Sequence, residues 1–184
     1  MPERDVTTAQ LLLAEYQTVK DEQKTRIGFR DNLLYVTLTV VAAVIAAAAQ
    51  AQRSEMLLAL PPVCVVLGWT YVVNDEKISA IGTYVRDDLG PRLAELAQAQ
   101  EVFAWESAHR SDTRRRSRKV IQSSIDLLAF CVVPFAGLVV YWAAGQTTPG
   151  LLALSVAEAL TVVGLGHQVL SYARPLNSPR PPTP

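Results

Sequence analysis

The sequence predicts an all-α membrane protein: four transmembrane helices with a cytoplasmic helical subdomain between spans two and three. Three observations lead there. Of 184 residues, 50% are apolar and only 18% are charged, against about 25% charged in an ordinary soluble domain. The charges are segregated into residues 1–31 and 75–119, with long uncharged stretches between and after them. Within those stretches, residues 36–49 and 63–73 carry no charged stripe, whereas a soluble amphipathic helix shows a polar face at a 3.6-residue period.

Residues 1–31 read as a cytoplasmic amphipathic arm. Thr7-Thr8-Ala9-Gln10 is a capping-box pattern ahead of an apolar run. Leu12, Tyr16, Val19 and Ile27 then recur at helical spacing, with Glu15, Lys20 and Lys24 elsewhere around the helix. Their mixed charge favours packing on protein, since helices that lie on membranes are rich in Lys and Arg on the polar face.

Residues 32–74 read as the first transmembrane hairpin. Asn32–Gln52 is 21 residues without a charge and Met56–Asn74 is 19, and a spanning helix needs roughly 20. Leu33, Leu34, Val36, Leu38, Val40, Val41, Val44 and Ile45 together favour insertion of the first stretch by about 2.5 to 5 kcal/mol. Pro61-Pro62 is expected to bend the second span.

Residues 75–120 read as the cytoplasmic helical segment. Ile78, Ile81, Val85 and Leu89 continue the period of the second span, so that helix projects beyond the membrane. Gly90-Pro91 is expected to end it, and Leu93, Leu96 and Ala97 to begin a returning helix. Val102, Phe103 and Trp105 are further apolar anchors. The basic run Arg114, Arg115, Arg116, Arg118 and Lys119 reads as a topology determinant that touches anionic lipid headgroups, at about 1 kcal/mol per basic residue near the surface. No aromatic residues interleave it, and the net charge of the chain is zero, so nucleic acid is not an expected partner.

Residues 121–173 read as the second transmembrane hairpin, divided by a turn at Gly145–Gly150, with Pro134 expected to bend the third span. Residues 174–184 form a proline-rich tail expected to be disordered and partly polyproline-II. Only Arg53 among the Lys and Arg residues falls in an outward connection, so both termini and residues 75–120 are expected in the cytoplasm. Tyr35, Trp69, Tyr71, Tyr141, Trp142 and Tyr172 lie near span ends and fit an interfacial belt. A charged segment precedes the first span, which argues against a cleaved leader.

Ionisable groups inside spans are functional candidates, and three qualify. Glu158 lies about 10 Å inside the fourth span at ~1.5 Å per residue, with Thr39 or Tyr141 as possible hydrogen-bond partners. Asp126 and His167 both sit near the cytoplasmic ends of the last two spans, where a satisfied polar pair would lock that hairpin. Glu158 and His167 project from opposite faces of a straight helix, which counts against a proton relay through all three. Ala42, Ala46 and Ala49 leave one side of the first span bare of bulk, as close helix packing requires, within the chain or between copies.

Enzyme motifs are lacking. No HExxH, GxxxxGK or GxSxG occurs. Cys64 and Cys131 lie in spans and read as small buried residues, and His109 with His167 does not make a metal site. No enzymatic activity and no cofactor are expected.

The segment Glu22–Tyr35 (EQKTRIGFRDNLLY), with Leu60–Tyr71 (LPPVCVVLGWTY) and Asn74–Gly82 (NDEKISAIG), resembles a group of bacterial multi-pass membrane proteins. The resemblance covers roughly the first half of the chain and implies membrane placement, without catalytic residues. More loosely, paired spans joined to cytoplasmic helices resemble the small membrane effectors of bacterial conflict systems, which usually have two spans where this chain has four. The expectation is a self-associating homo-oligomer of the bacterial inner membrane that takes a signal from a cytoplasmic protein partner and opens a pore. A scaffold that recruits a soluble partner and a small transporter using Glu158 are the alternatives.

Overall fold

The computed structural model describes residues 7–99, 102, 115–145 and 148–173. Helix is the only regular structure among the described residues. Helix α1 runs unbroken over Thr8–Ala51. Its capping box forms as the sequence predicts: Gln10 N–H donates to Thr7 Oγ1 at 3.3 Å and Thr7 N–H donates to Gln10 Oε1 at 3.1 Å. Its 44 residues are well beyond the roughly 20 that a bilayer crossing needs. Gln52 closes it in the left-handed conformation, with Gln52 N–H donating to Ala49 O and Arg53 N–H donating to Ala48 O, the bond pattern of a Schellman turn.

A 3-10 segment, Ser54–Ala59, leads into α2, Leu60–Tyr84. A π-turn, Val85–Leu89, and α3, Gly90–Ala97, continue the same helix. After the undescribed residues come α4, Arg115–Leu127, a second π-turn, Leu128–Val132, α5, Val133–Ala143, and α6, Pro149–Ala173. Four of these rods are long and apolar enough to cross a membrane: Thr8–Ala51, Ser54–Ala97, Val120–Ala143 and Pro149–Ser171.

One of the proline sites, Gly90-Pro91, behaves differently from the sequence-based expectation. Pro61 and Pro62 lie where the 3-10 segment passes into α2, so the hydrogen-bond pattern changes at the prolines while the helical path continues. Gly90-Pro91 does not end the second helix. The π-turn just before it widens the helix by one residue, which relieves the clash between a proline ring and the carbonyl four residues back. Pro134 follows its own π-turn with the same spacing. Leu93, Leu96 and Ala97 therefore belong to the continuing helix, which stops at Gln98 in the left-handed conformation, with Ala99 N–H donating to Ala94 O at 3.0 Å.

The chain divides into two compact units, residues 1–36 with 70–115 and residues 37–69 with 116–184. The first is an antiparallel helical hairpin. The inner positions of α1 are Leu12, Tyr16, Val19, Gln23, Arg26, Arg30 and Leu33, alternating by four and three residues as a coiled-coil seam does. Leu12 packs on Val85 and Leu89, with Tyr16, Val19, Ile81, Tyr84 and Leu93 around them. Ile27 falls one position off the seam and is exposed, so the seam turns polar after Val19.

In the second unit, Ala48, Leu57 and Leu60 form one apolar cluster and Leu58, Leu138 and Tyr141 another. Gly68 allows the closest approach: a Cβ there would lie 2.8 Å from Leu165 Cδ2 and 2.9 Å from Phe130 Cγ. The outside of the unit is apolar, with Leu38, Ile45, Val66, Val139, Leu160 and Val163 all exposed. So much exposed hydrocarbon is foreign to a water-soluble surface and suits a lipid one. Trp69 and Tyr35 are exposed as an interfacial belt requires, whereas Tyr71 and Tyr141 are buried and do not belong to it. The side chain of Tyr172 and residues 174–184 lie outside the described residues.

Candidate functional site

Two polar constellations stand out, one in each unit. In the first, the hairpin seam carries charge at the point where the uncharged stretches begin and end. Arg30 Nη1 donates to Asp75 Oδ1 at 2.8 Å, and its guanidinium lies 5.9 Å from the centre of the Tyr71 ring. Arg26 Nη1 donates to Asn74 Oδ1 at 3.1 Å, while its Nε and Nη2 grip Glu22 one turn back at 2.8 and 2.6 Å. Gln23 Nε2 donates to the Ile78 carbonyl at 3.2 Å, and the Tyr84 hydroxyl donates to Glu15.

Burial works against the Arg30 charge, but the hydrogen bond to Asp75, with help from Tyr71 and Asp31, outweighs it and holds the guanidinium above its ordinary value. The hydrogen bond to Glu15 likewise raises the Tyr84 phenol. Polar groups on an otherwise apolar seam fix register, because a shifted pairing leaves them without partners. Sequence reading missed this constellation. The signal was present in the four-three spacing of Gln23, Arg26 and Arg30 after Val19.

The second constellation surrounds Glu158. The buried face of α6 is Ser155, Glu158, Val162, Leu165 and Val169, again spaced by three and four. Trp142 Nε1 on α5 donates to Ser155 Oγ at 2.8 Å, and Ser155 Oγ donates to the Leu152 carbonyl at 2.8 Å. Glu158 is 9% exposed, and its Oε2 has no hydrogen-bond partner; the hydroxyl of Tyr141, 1% exposed, has none either. Neither of the partners expected for Glu158 bonds to it, and Thr39 lies exposed on α1.

Set beside family models, curated proteins and solved structures, the chain matches none.

Asp126 is buried and accepts a hydrogen bond from Gln122 Nε2 at 3.0 Å, whereas His167 is exposed on α6. No hydrogen bond or ion pair joins them among the described residues, so the expected polar lock is not formed. Two contacts fix the pairing of the two helices, Trp142 with Ser155 and Cys131 beside Gly166, where a Cβ would lie 3.6 Å from Cys131 Sγ, and they set His167 level with Phe130, a turn away from Asp126. Ala42, Ala46 and Ala49 are exposed on α1. The buried positions of that stretch are instead Thr37 and Ala48, with Val41 and Val44 partly covered, so the bare alanine face is left open among the described residues.

Arg114 lies outside the described residues, as do the side chains of Arg115, Arg116, Arg118 and Lys119. Their backbone, however, forms the first turns of α4. Four cations at a helix N-terminus oppose the helix dipole, at about 0.3 to 1 kcal/mol each. Helix stability does not account for them. His109 also lies outside the described residues.

Proposed function

We propose that this chain is a non-enzymatic component of a bacterial inner membrane, crossing it four times with both termini and the residue 75–120 segment in the cytoplasm. It self-associates through the exposed Ala42, Ala46 and Ala49 face of α1 and opens a pore under the control of its cytoplasmic hairpin. The observation that carries this reading is the form of α1. One unbroken helix includes both the polar seam that a cytoplasmic protein partner would meet and the unused alanine face in the bilayer.

Orientation rests on the same chemistry. The basic run at the start of α4 is set against its own helix dipole and is compensated by anionic lipid headgroups on the cytoplasmic leaflet. The alternative readings, a scaffold or a transporter using Glu158, require no self-association.

The test is controlled expression with a membrane-potential dye, paired with cross-linking in native membranes. The wild-type chain is expected to depolarise cells and to cross-link as a ladder, and Ala46→Phe to abolish both. Cross-linking unaffected by Ala46→Phe removes the alanine face from the account. A membrane potential untouched at full expression leaves the scaffold in its place.

A further inference from the structure

The basic run at the start of α4 has one hydroxyl in its midst. Ser117 directly follows Arg115 and Arg116 and directly precedes Arg118 and Lys119. It occupies the third position of α4, and its side chain is exposed. The same side of the helix continues through Ile121, Ser124 and Leu128, four, seven and eleven residues on, and all three are exposed. Ser117 is therefore the polar end of the stripe that α4 turns outward. The other two serines of α4 are placed differently: Ser123 is half-buried, and Ser124 Oγ donates to the Val120 carbonyl at 2.9 Å.

A change of charge at this position has two consequences. The cations around Ser117 oppose the dipole of α4, which favours fraying of its first turn. A frayed turn presents a serine between arginines, which an acidic substrate groove grips through charge-assisted hydrogen bonds. A phosphate on Ser117 adds about −1.5 to −2 charges at neutral pH to a run drawn to anionic lipid headgroups. At the third position of a helix, that negative charge is also favourable to the dipole.

We infer that Ser117 is a phosphorylation site for an arginine-directed serine kinase of the cytoplasm, and that the phosphate releases the start of α4 from anionic headgroups. The Ser117 oxygen bonds to the terminal phosphorus of a nucleoside triphosphate, and the bond from that phosphorus to the diphosphate breaks. The hydroxyl proton passes to the kinase, and the nucleoside diphosphate leaves. The phosphate then repels the leaflet to which the arginines are drawn. The site rests on the cytoplasmic placement of residues 75–120 proposed above, and not on pore opening or the alanine face.

The experiment uses the full-length chain in membrane vesicles prepared inside-out and right-side-out. Each preparation receives cytosol of the same cells and ATP labelled on its terminal phosphate. Peptide mass spectrometry is expected to map the label to Ser117 in inside-out vesicles, with Ser117→Ala losing it and Ser117→Thr keeping it. No label on Ser117 in either preparation overturns the site. Label on Ser117 in right-side-out vesicles alone overturns the orientation on which the site rests. A second arm reads the lipid contact. In a chain with Cys64 and Cys131 replaced by Ala, the exposed Val120 is changed to Cys and carries a polarity-sensitive dye. The purified chain is reconstituted in phosphatidylglycerol or in phosphatidylcholine vesicles. Ser117→Glu is expected to shift the emission to the red in phosphatidylglycerol and to leave it unchanged in phosphatidylcholine. No shift in phosphatidylglycerol, or the same shift in both lipids, overturns the release from headgroups.

Discussion

Arg30 and Asp75 close on each other at 2.8 Å, joining α1 to α2 where each leaves its charged stretch for an uncharged one. Arg30 also faces the Tyr71 ring and bonds to Asp31 at 3.2 Å. The pair is only partly covered, with side chains 23% and 40% exposed, so its net worth is modest. A double-mutant cycle of Arg30→Ala and Asp75→Ala, followed by thermal unfolding in detergent, is expected to give a coupling of about 1 kcal/mol. Asp75→Lys should be worse than Asp75→Ala, since it sets two cations against each other. Equal effects of the two substitutions would remove the pair from the register.

The apolar end of the same seam carries more. Leu89 is fully buried against Leu12 and Val85, and Leu89→Ala is expected to destabilise the hairpin by about 2–4 kcal/mol. Leu13 is 49% exposed on the other side of α1, and Leu13→Ala should change stability by no more than about 0.5 kcal/mol. Protease resistance of residues 7–99 in the two variants makes the comparison. Similar losses would mean that the hairpin does not pack along this seam.

Tyr84 gives the hairpin a pH dependence with a definite sign. Its hydrogen bond to Glu15 favours the neutral phenol in the folded hairpin and raises its pKa. A raised folded value means that the contribution is complete below the unfolded phenol range, near pH ~10, and is lost as pH rises through the folded value. Wild-type stability is therefore expected to fall in strong alkali more steeply than that of Tyr84→Phe, measured as melting temperature against pH. Parallel profiles would show that the hydroxyl makes no difference.

Glycine contacts separate tight packing from open surface in the second unit. Gly68→Ala drives a methyl group into Phe130 and Leu165 and is expected to cost about 1–3 kcal/mol by overpacking. At Gly137 the clash is with the tip of one side chain, Leu60 Cδ1 at 2.9 Å, which can rotate away, so Gly137→Ala should cost less. Gly164 has nothing within 4 Å, and Gly164→Ala should be neutral. Detergent unfolding of the three variants decides, and a loss at Gly164 as large as at Gly68 would reveal a neighbour absent from a single chain.

The spans and the capping box were legible because each is written in a contiguous run: twenty uncharged residues, or Thr7 and Gln10 three apart. Proline positions were legible only in part. Pro91 and Pro134 have the sequence of a helix stop or kink, but packing on both sides makes it cheaper to insert a π-turn than to break the rod. The polar seam was harder still, since Arg26 and Arg30 resemble any solvated charges until Asn74 and Asp75 are brought beside them by a hairpin of long range. Asp126 and His167 look like a pair when depth is counted from the ends of their spans, but the helix register separates them by a turn.

Single-cysteine accessibility tests the four-span reading most directly. In a chain with Cys64 and Cys131 replaced by Ala, Ala144→Cys and Gln98→Cys are each probed in intact cells with a membrane-impermeant maleimide. The account predicts that position 144 is labelled at once and that position 98 is labelled only after the membrane is permeabilised. Labelling of position 98 from outside, or recovery of the chain in the soluble fraction without detergent, would contradict it.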